Sequence, residues 1–483
     1  MASSYSSDIM YRTRIIPFTL AAALLMLQQF SSAMPIWASP LSITPDTIRT
    51  LGLPVVTIET VDGEEPTCEY VEHPEGMAGY GTRNATKVPG RLTITLGEEV
   101  LYDSGPYEKN VGGMRIKIRG NSSAYPRKKP YKVKLEVGAD LLLRGDEEKY
   151  ADRDWLLLKD PELLQSIGFE ASRLIGMEWT SGHRYVNLVM NGDYRGLYLL
   201  CEPVERNTRC RIDVSKTGYI VESDAYFWCE DLYIPSSLNP FGWTIKYPDA
   251  DDVTEEQVSF LSRELAQLEE SLVGPQYAER IDVESFARWL LAHDILGTWD
   301  SYGSNLFISR YDTLDSKARM PVLWDFDTIF RMEGAWANIH RERFFFHFLL
   351  ASEDDTFRRA YLWLWNEVHQ AVFEGMLSYI DSYAASEEAS AVDASMRLDA
   401  ERWNSGYTCL GDHLDKARAW FGSREAWLDE RITEEIGGLY IEESHYSPIE
   451  QMGPAYNAWG MPVSSGYSGI IIQGGKKYLI KSQ

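Results

Sequence analysis

Apolar and polar residues alternate with a period of two through the first half of the chain, and from about residue 252 the pattern lengthens toward the helical period. Leu53–Thr60 (LPVVTIET), Arg91–Leu96 and Met114–Arg119 carry the alternation of half-buried strands. Lys129–Glu136 (KPYKVKLE) resumes it after the glycine turn Arg119-Gly120-Asn121-Ser122-Ser123. A helix is predicted over Pro161–Ile175, followed by a hairpin with strands Arg184–Met190 and Gly196–Glu202. Its turn, Asn191-Gly192-Asp193, contains the Asn-Gly pair favoured in two-residue hairpin loops. Helices are then predicted over Glu255–Leu272, Val283–Leu296, Asp355–Ser378 and Ser386–Trp403. The order implies an α+β chain, sheet-rich first and helix-rich afterwards.

Composition supports a large folded body. Of 483 residues, 44% are hydrophobic and 12% aromatic, which supplies a sizeable core and excludes disorder for most of the chain. No Gly/Ser/Pro-rich linker interrupts residues 50–435, so one large two-lobed unit is expected. The formal charge of -25 argues against a nucleic-acid or anionic-membrane surface.

At the N-terminus, Arg12 and Arg14 precede the apolar run Ile15–Leu27, with small residues at Ser31–Ala33 and again at Ile36–Ser39. Residues 1–39 read as a cleaved secretory signal, because the apolar run is short for a bilayer span, and no later segment reaches that length. A secreted, periplasmic or cell-surface location follows as an expectation, with no transmembrane segment after cleavage. The five cysteines fit no zinc spacing and are assigned no catalytic role. Cys201 with Cys210, or Cys210 with Cys229, are the candidate bridges, and free thiols are the alternative.

The segment Gly297–Phe330 changes the picture most. Asp300 and Asn305 stand five residues apart in a turn-like stretch, and Asp325 and Asp327 follow the apolar run Val322-Leu323-Trp324, so Asp325 is expected at a strand end. This is a layout for metal-dependent phosphoryl transfer: one carboxylate orients or deprotonates the accepting hydroxyl, while an Asn and a second Asp hold magnesium. Taken alone, Asp300 and Asn305 also suit a helix cap and a turn. On KPYKVKL, alternation puts Lys132 and Lys134 on one face and Tyr131, Val133 and Leu135 on the other. One of the two lysines is expected to reach the nucleotide phosphates, with Lys132 preferred. His293 reads as a satisfied helical histidine. No His-x-x-x-His or Gly-x-Ser-x-Gly pattern supports a zinc hydrolase or an esterase.

Four segments, IRGNSSAYPRKKPYKVKL, VNLVMNGDYRGLYLLCEPV, ILGTWDSYGSNLFISR and PVLWDFDTIF, resemble in order and spacing the hallmark segments of the CotH kinase family. Weaker likeness continues through TFRRAYLWLWNEV and a helix near Arg424, so that about Leu53–Ile436 is covered. The resemblance implies a protein-kinase-like fold with a sheet-rich N-lobe over 50–205 and a helical C-lobe over 206–438. It implies Asp300 as the catalytic aspartate, Asn305 and Asp325 as metal ligands, and Asp327, at the kinase glycine position, as a candidate second carboxylate. Either aspartate of the pair remains open as the main ligand.

Glu170, in GFEASRLIG, would be the acid that positions the lysine, although Ser166 and Ile167 stand where family members carry Arg or Asn. The Gly120 turn would cover the nucleotide, with Asn121 and Ser122 as donors, without the three-glycine kinase pattern. Glu202 would lie near the lobe junction. The implied activity is that of an exported atypical protein kinase, using ATP with Mg2+ or Mn2+ on Ser, Thr or Tyr of a protein acceptor. A catalytically silent surface-binding or adhesion module, and a nucleotidyl transferase on the same site, are the alternatives. The last segment, AYNAWGMPVSSGYSGIIIQGGKKYLIK, resembles the C-terminal tails of many secreted bacterial proteins and reads as a small β appendage over 440–483, for sorting or as a terminal hairpin.

Overall fold

The alternating strands of the first half close on themselves. In the computed structural model, which describes residues 43, 45–72, 80–230, 232–238, 241–249, 252–298, 300, 304–314, 316–331, 345–436, 456–457, 463, 469–473 and 476–480, the ring runs β1 (Val55–Thr60), β9 (His183–Met190), β10 (Asp193–Cys201), β8 (Asp152–Leu158), β7 (Tyr131–Ala139), β6 (Met114–Ile118) and β4 (Val88–Leu96). Strand β4 pairs with β6 through Val88–Gly90 and with β1 through Gly90–Thr95, which closes the sheet. The pairing of β1 with β9 is parallel and the other neighbours are antiparallel. Strand β5 (Glu99–Asp103) hangs from β4, and β2 (Glu69–Glu72) with β3 (Tyr80–Arg83) forms a separate ribbon.

Period-two alternation fills the interior. Ile116, Ile118, Tyr131, Val133, Leu135, Trp155, Leu157, Val186, Leu188, Tyr198 and Leu200 make one buried cluster, while Lys117, Lys132, Lys134 and Asp154 lie on the other face of the same strands. The hairpin between β9 and β10 turns at Asn191 and Gly192, both at positive φ (51° and 78°), as a two-residue turn between twisted strands requires. A bulge between Tyr194 and Gly196 then bends β10.

The part expected as a helical lobe, 206–438, contains a second sheet. Its order is β12 (Tyr233–Pro235), β13 (Gly242–Tyr247), β11 (Tyr219–Asp224), β14 (Leu306–Arg310) and β15 (Ala318–Arg319), all antiparallel. These strands are short and buried on both faces (YIVESD, GWTIKY, LFISR), so they carry little period-two alternation to read. The chain is therefore a mixed α+β protein.

The helices are α1 (Leu164–Ile175), α2 (Glu255–Val273), α3 (Val283–Leu296), α4 (Thr356–Ala384), α5 (Glu387–Trp403) and α6 (Leu410–Ile436). Thr254 and Gln257 form a reciprocal capping box on α2, Asp282 caps α3 and Ser386 caps α5, which explains why these starts are visible in the sequence. Helix α3 packs against α4 and α1, and its C-terminal end is fixed by α6: Trp420 Nε1 donates to the Ile295 carbonyl (3.0 Å) and the Arg424 guanidinium to the Asp294 carbonyl (2.6 and 3.0 Å). Tyr361 of α4 donates to the Asp294 carboxylate at 2.6 Å.

No described helix is long and apolar enough to cross a membrane. All five cysteines are free thiols, so neither candidate bridge forms. The N-terminal 39 residues lie outside the described residues. Residues 430–483 form a unit of their own, with a three-stranded antiparallel sheet of Tyr456–Asn457, Gly469–Gln473 and Lys476–Ile480.

Among the contacts that hold helix α5 to the barrel, one is a largely buried carboxylate. Asp399 accepts from Lys128 Nζ (2.6 Å) and the Leu197 amide (2.9 Å), and it occupies the space a Cβ on Gly196 would need. Removing one partner of a largely buried ion pair leaves the other charge uncompensated. Asp399→Ala is expected to lower the unfolding free energy by about 3 kcal/mol in urea titrations.

Candidate active site

The end of α3 starts the site. Gly297, in the left-handed conformation (φ 61°), terminates the helix with its amide on the His293 carbonyl at 2.8 Å. His293 itself is buried, with Nδ1 2.9 Å from the Trp289 carbonyl, a local helical contact. Beyond Gly297, the Thr298 and Thr328 hydroxyls meet at 2.6 Å, and the Asp300 amide donates to Thr328 Oγ1 at 3.3 Å. The Phe330 and Arg331 amides return to the Leu296 and Gly297 carbonyls at 2.9 and 3.2 Å. These bonds tie the Asp300 loop to the turn that carries Asp325 and Asp327.

That turn differs from the expected strand end. Residues 321–326 run without a ladder, and Asp325 takes a positive φ of 62°, so strand alternation does not place its carboxylate beside that of Asp327. The intervening Phe326 does the placing. Its ring is buried edge-on to Phe169 of α1 (5.4 Å, 85°) and fills the notch left by Gly168, where a Cβ would fall 2.1 Å from the ring. Gln165, one turn earlier, holds the same residues: its carbonyl oxygen lies 3.4 Å from the Phe326 amide and its nitrogen 3.5 Å from Asp325 Oδ1. The start of α1 is fixed by Asp160, which accepts from the Gln165 and Ser166 amides and from Tyr185 Oη (2.7 Å).

The outcome is a carboxylate triad: oxygens of Asp300, Asp325 and Asp327 all lie within 4.8 Å of one another. Burial and the Asp325 charge push Asp300 up to about 7. Asp325 rises to about 7 through burial and the Asp327 charge, opposed by Arg119 and Gln165. Asp327 rises to about 6 through burial of its carboxyl and the Asp300 charge, opposed by Arg331 and Lys159, although its residue surface is the most open of the three. Three hard oxygen donors at such spacing fit a Mg2+ or Mn2+ ion, whose ligands sit about 2.1 Å from the metal. A cation there would remove the mutual repulsion that now favours the protonated forms. Asn305 stands at positive φ (56°) just before β14, whose first residue Leu306 pairs with Ser223, so Asn305 leaves the second sheet beside Asp224.

The remaining expected residues distribute differently. Lys132 lies 3.0 Å from Asp154 and forms a second ion pair with Glu205; burial disfavours its charge, but the two acids raise its pKa on balance. Lys134 is half exposed and 3.6 Å from Asp154. Glu170 is not the partner of either lysine: it forms an ion pair with Arg173 on its own helix, and the acids on the lysine strand come from β8 and from the segment after β10. Glu202 is buried, accepting from Arg144 (3.1 Å) and the Gly182 amide (2.9 Å), which fixes the exit of β10.

In the glycine turn, Gly120 has φ 80° and its carbonyl accepts from Thr82 Oγ1 at 2.8 Å. Asn121 accepts from the Thr82 amide through its side-chain oxygen (3.1 Å), and the Ser122 hydroxyl meets that of Tyr226.

Three cations around the triad were not among the expected residues: Arg331, after the turn, acts on Asp327, and two more come from the barrel. Arg119, just after β6, acts on Asp325, and Lys159, just after β8, acts on Asp327 and donates to the Ser123 carbonyl. Burial and the nearby Lys128 and Lys129 hold Lys159 down to about 8. Arg119 stands in the segment IRGNSS, beside the turn already singled out, whereas Lys159 has no local signal, because its role depends on where β8 ends.

A family profile described as CotH kinase protein matches residues 116–428, more than half of the chain. No curated protein matches. Three solved chains match, among them the Helicobacter pylori proinflammatory kinase CtkA, at 9% identity over 59% of this chain and 91% of that one, with a TM-score of 0.29.

The raised carboxylates set the sign of a pH effect. With folded pKa values above the usual carboxylate range, the folded state binds the extra protons, so this contribution to stability is present at low pH and is lost as pH rises through about 6 to 7. Metal must displace those protons. In thermal unfolding without nucleotide, the rise in Tm caused by Mn2+ is therefore expected to be small at acid pH and to grow across this window, and Asp325→Asn is expected to flatten both trends.

Proposed function

The chain belongs to the CotH kinase protein family, and on that premise we propose that it is an exported atypical protein kinase, which transfers the terminal phosphoryl group of ATP to a Ser, Thr or Tyr hydroxyl of a protein acceptor. The observation that carries this reading is the triad of Asp300, Asp325 and Asp327, with oxygens within 4.8 Å. In it the barrel serves as the N-lobe and the helical part, with the second sheet, as the C-lobe.

Asp300 orients the accepting hydroxyl and takes its proton. Burial of the Asp300 carboxyl raises its proton affinity, which suits a group that must accept a proton. Asp325 and Asp327, with Asn305, hold the divalent ion, which when bound supplies charge neutralisation for the triphosphate. Arg119 and Lys159 act from the barrel side as phosphate-binding cations, supported by their electrostatic reach to Asp325 and Asp327. Lys132, held between Asp154 and Glu205, is better suited to fixing the strand than to following a leaving phosphate, and Lys134 has the looser partner. The N-terminal signal-like segment supports export.

Incubation with γ-labelled ATP and Mn2+ is expected to label the chain or a generic acceptor, α-labelled ATP to label neither, and Asp325→Ala to reduce labelling by at least about 100-fold. Unchanged labelling in that variant contradicts the assignment. Transfer of the α-label favours nucleotidyl transfer, and absence of any nucleotide-dependent Tm shift favours the binding module.

A further inference from the structure

We propose that Gln165 is the residue that sets which divalent ion the triad accepts: by engaging one oxygen of Asp325 it leaves that carboxylate a single free oxygen, which suits Mg2+ or Mn2+ and handicaps Ca2+. The inference rests on the kinase reading and adds to it the residue that selects the ion.

Gln165 is the second residue of α1, among the buried apolar side chains of Leu164, Ile167 and Phe169, and is itself only 6% exposed. A buried side-chain amide is costly unless its polar ends are bonded, and both ends of this one are spent on the same turn. Its oxygen accepts from the Phe326 amide at 3.4 Å, and its Nε2 donates to Asp325 Oδ1 at 3.5 Å. The Phe326 amide fixes which end is which: an N–H can meet only the carbonyl oxygen, so the NH2 group is left facing the carboxylate. Among the described residues Gln165 is the hydrogen-bond donor to the Asp325 carboxylate, at Oδ1 alone.

The turn has other supports for its shape. Phe326 is seated against Phe169 in the notch of Gly168, and the Phe330 and Arg331 amides are tied to Leu296 and Gly297. The start of α1 is held through the backbone, because Asp160 accepts from the Gln165 and Ser166 amides and from Tyr185 Oη, which also donates to Ser166 Oγ at 3.0 Å. What the Gln165 side chain adds is a restraint on the Asp325 carboxylate. With Oδ1 engaged by α1, Oδ2 is the oxygen that remains for an ion shared with Asp300 and Asp327.

Ion size turns that restraint into selectivity. The small ions Mg2+ and Mn2+ take octahedral oxygen sets and are served by one oxygen per carboxylate. Ca2+ takes about six to eight oxygens at about 2.3–2.6 Å and gains from carboxylates that bind through both oxygens. A carboxylate oriented by an outer hydrogen bond serves the smaller ions without loss and withholds its second oxygen from Ca2+. Gln165 is thus a positioning residue: it acts on the ion through Asp325.

The test titrates the full chain with MnCl2 and, separately, with CaCl2 by calorimetry without nucleotide. Wild type is compared with Gln165→Met, which keeps the side-chain length and cannot donate, and with Gln165→Glu, which keeps an acceptor for the Phe326 amide and carries no N–H for Asp325. Wild type is expected to bind Mn2+ at least about 10-fold more tightly than Ca2+, and both variants to lose at least about 10-fold of that preference. A role in packing alone weakens both ions alike; an unchanged ratio in the variants, or a wild type without the preference, overturns the proposal and leaves the kinase reading standing. Wild-type crystals grown with Mn2+ give a reading that does not depend on how the variants fold. One Asp325 oxygen about 2.2 Å from the ion, with Oδ1 still on Gln165, is expected, and both oxygens at bonding distance overturn the proposal. Absence of Mn2+ binding at the triad of the wild type overturns both this proposal and the metal-dependent reading of the site.

Discussion

Ionised carboxylates about 4 Å apart repel by roughly 4 kcal/mol at an effective dielectric near 20, and this chain brings three carboxyl groups within 4.8 Å of one another. Such an arrangement persists only if the backbone on every side is fixed. The Asp300 loop and the Asp325–Asp327 turn are laced together through Thr298, Thr328, Leu296 and Gly297. Phe326, seated in the notch of Gly168, pins the turn to α1. Trp420 and Arg424 of α6 hold the end of α3 from behind. Burial first, and the charge of the neighbouring aspartates second, raise the proton affinities of the three acids, and a divalent cation would relieve the repulsion.

Cations reach the triad from both halves of the fold, Arg331 from the turn's own side and Arg119 and Lys159 from the barrel. Acids come from the helical part and its loops, whereas Arg119 and Lys159 come from the ends of barrel strands, in a chain whose net charge is -25. The ion pairs around Lys132, Asp154 and Glu205, and around Arg144 and Glu202, fix strands β7, β8 and the exit of β10. Their contribution is positional, since removing either partner would strand a charge.

What was legible in the sequence had a local cause. Helices α2, α3 and α5 were readable from their caps and apolar stripes, and the β9–β10 hairpin from Asn191-Gly192. Barrel closure was not, because it depends on β1 pairing in parallel with β9 and antiparallel with β4, far apart in the chain. The second sheet stayed hidden for the same reason: β11 finds its partners on either side in β13 and β14. At the site, the residue types Asp300, Asp325 and Asp327 could be singled out from spacing. Their convergence could not be derived from strand geometry, since Asp325 leaves the extended region and Phe326 sets the turn. Glu170 looked like a lysine partner from its place on α1, but Arg173 one turn on is closer, and Glu205 was invisible without the fold.

The most direct measurement is anomalous scattering from crystals grown with Mn2+ and a non-hydrolysable ATP analogue. The account predicts a manganese peak about 2.2 Å from oxygens of Asp325 and Asp327, with the triphosphate between it and Arg119 and Lys159. A nucleotide bound with no manganese at these carboxylates, or manganese bound only elsewhere on the chain, would contradict it.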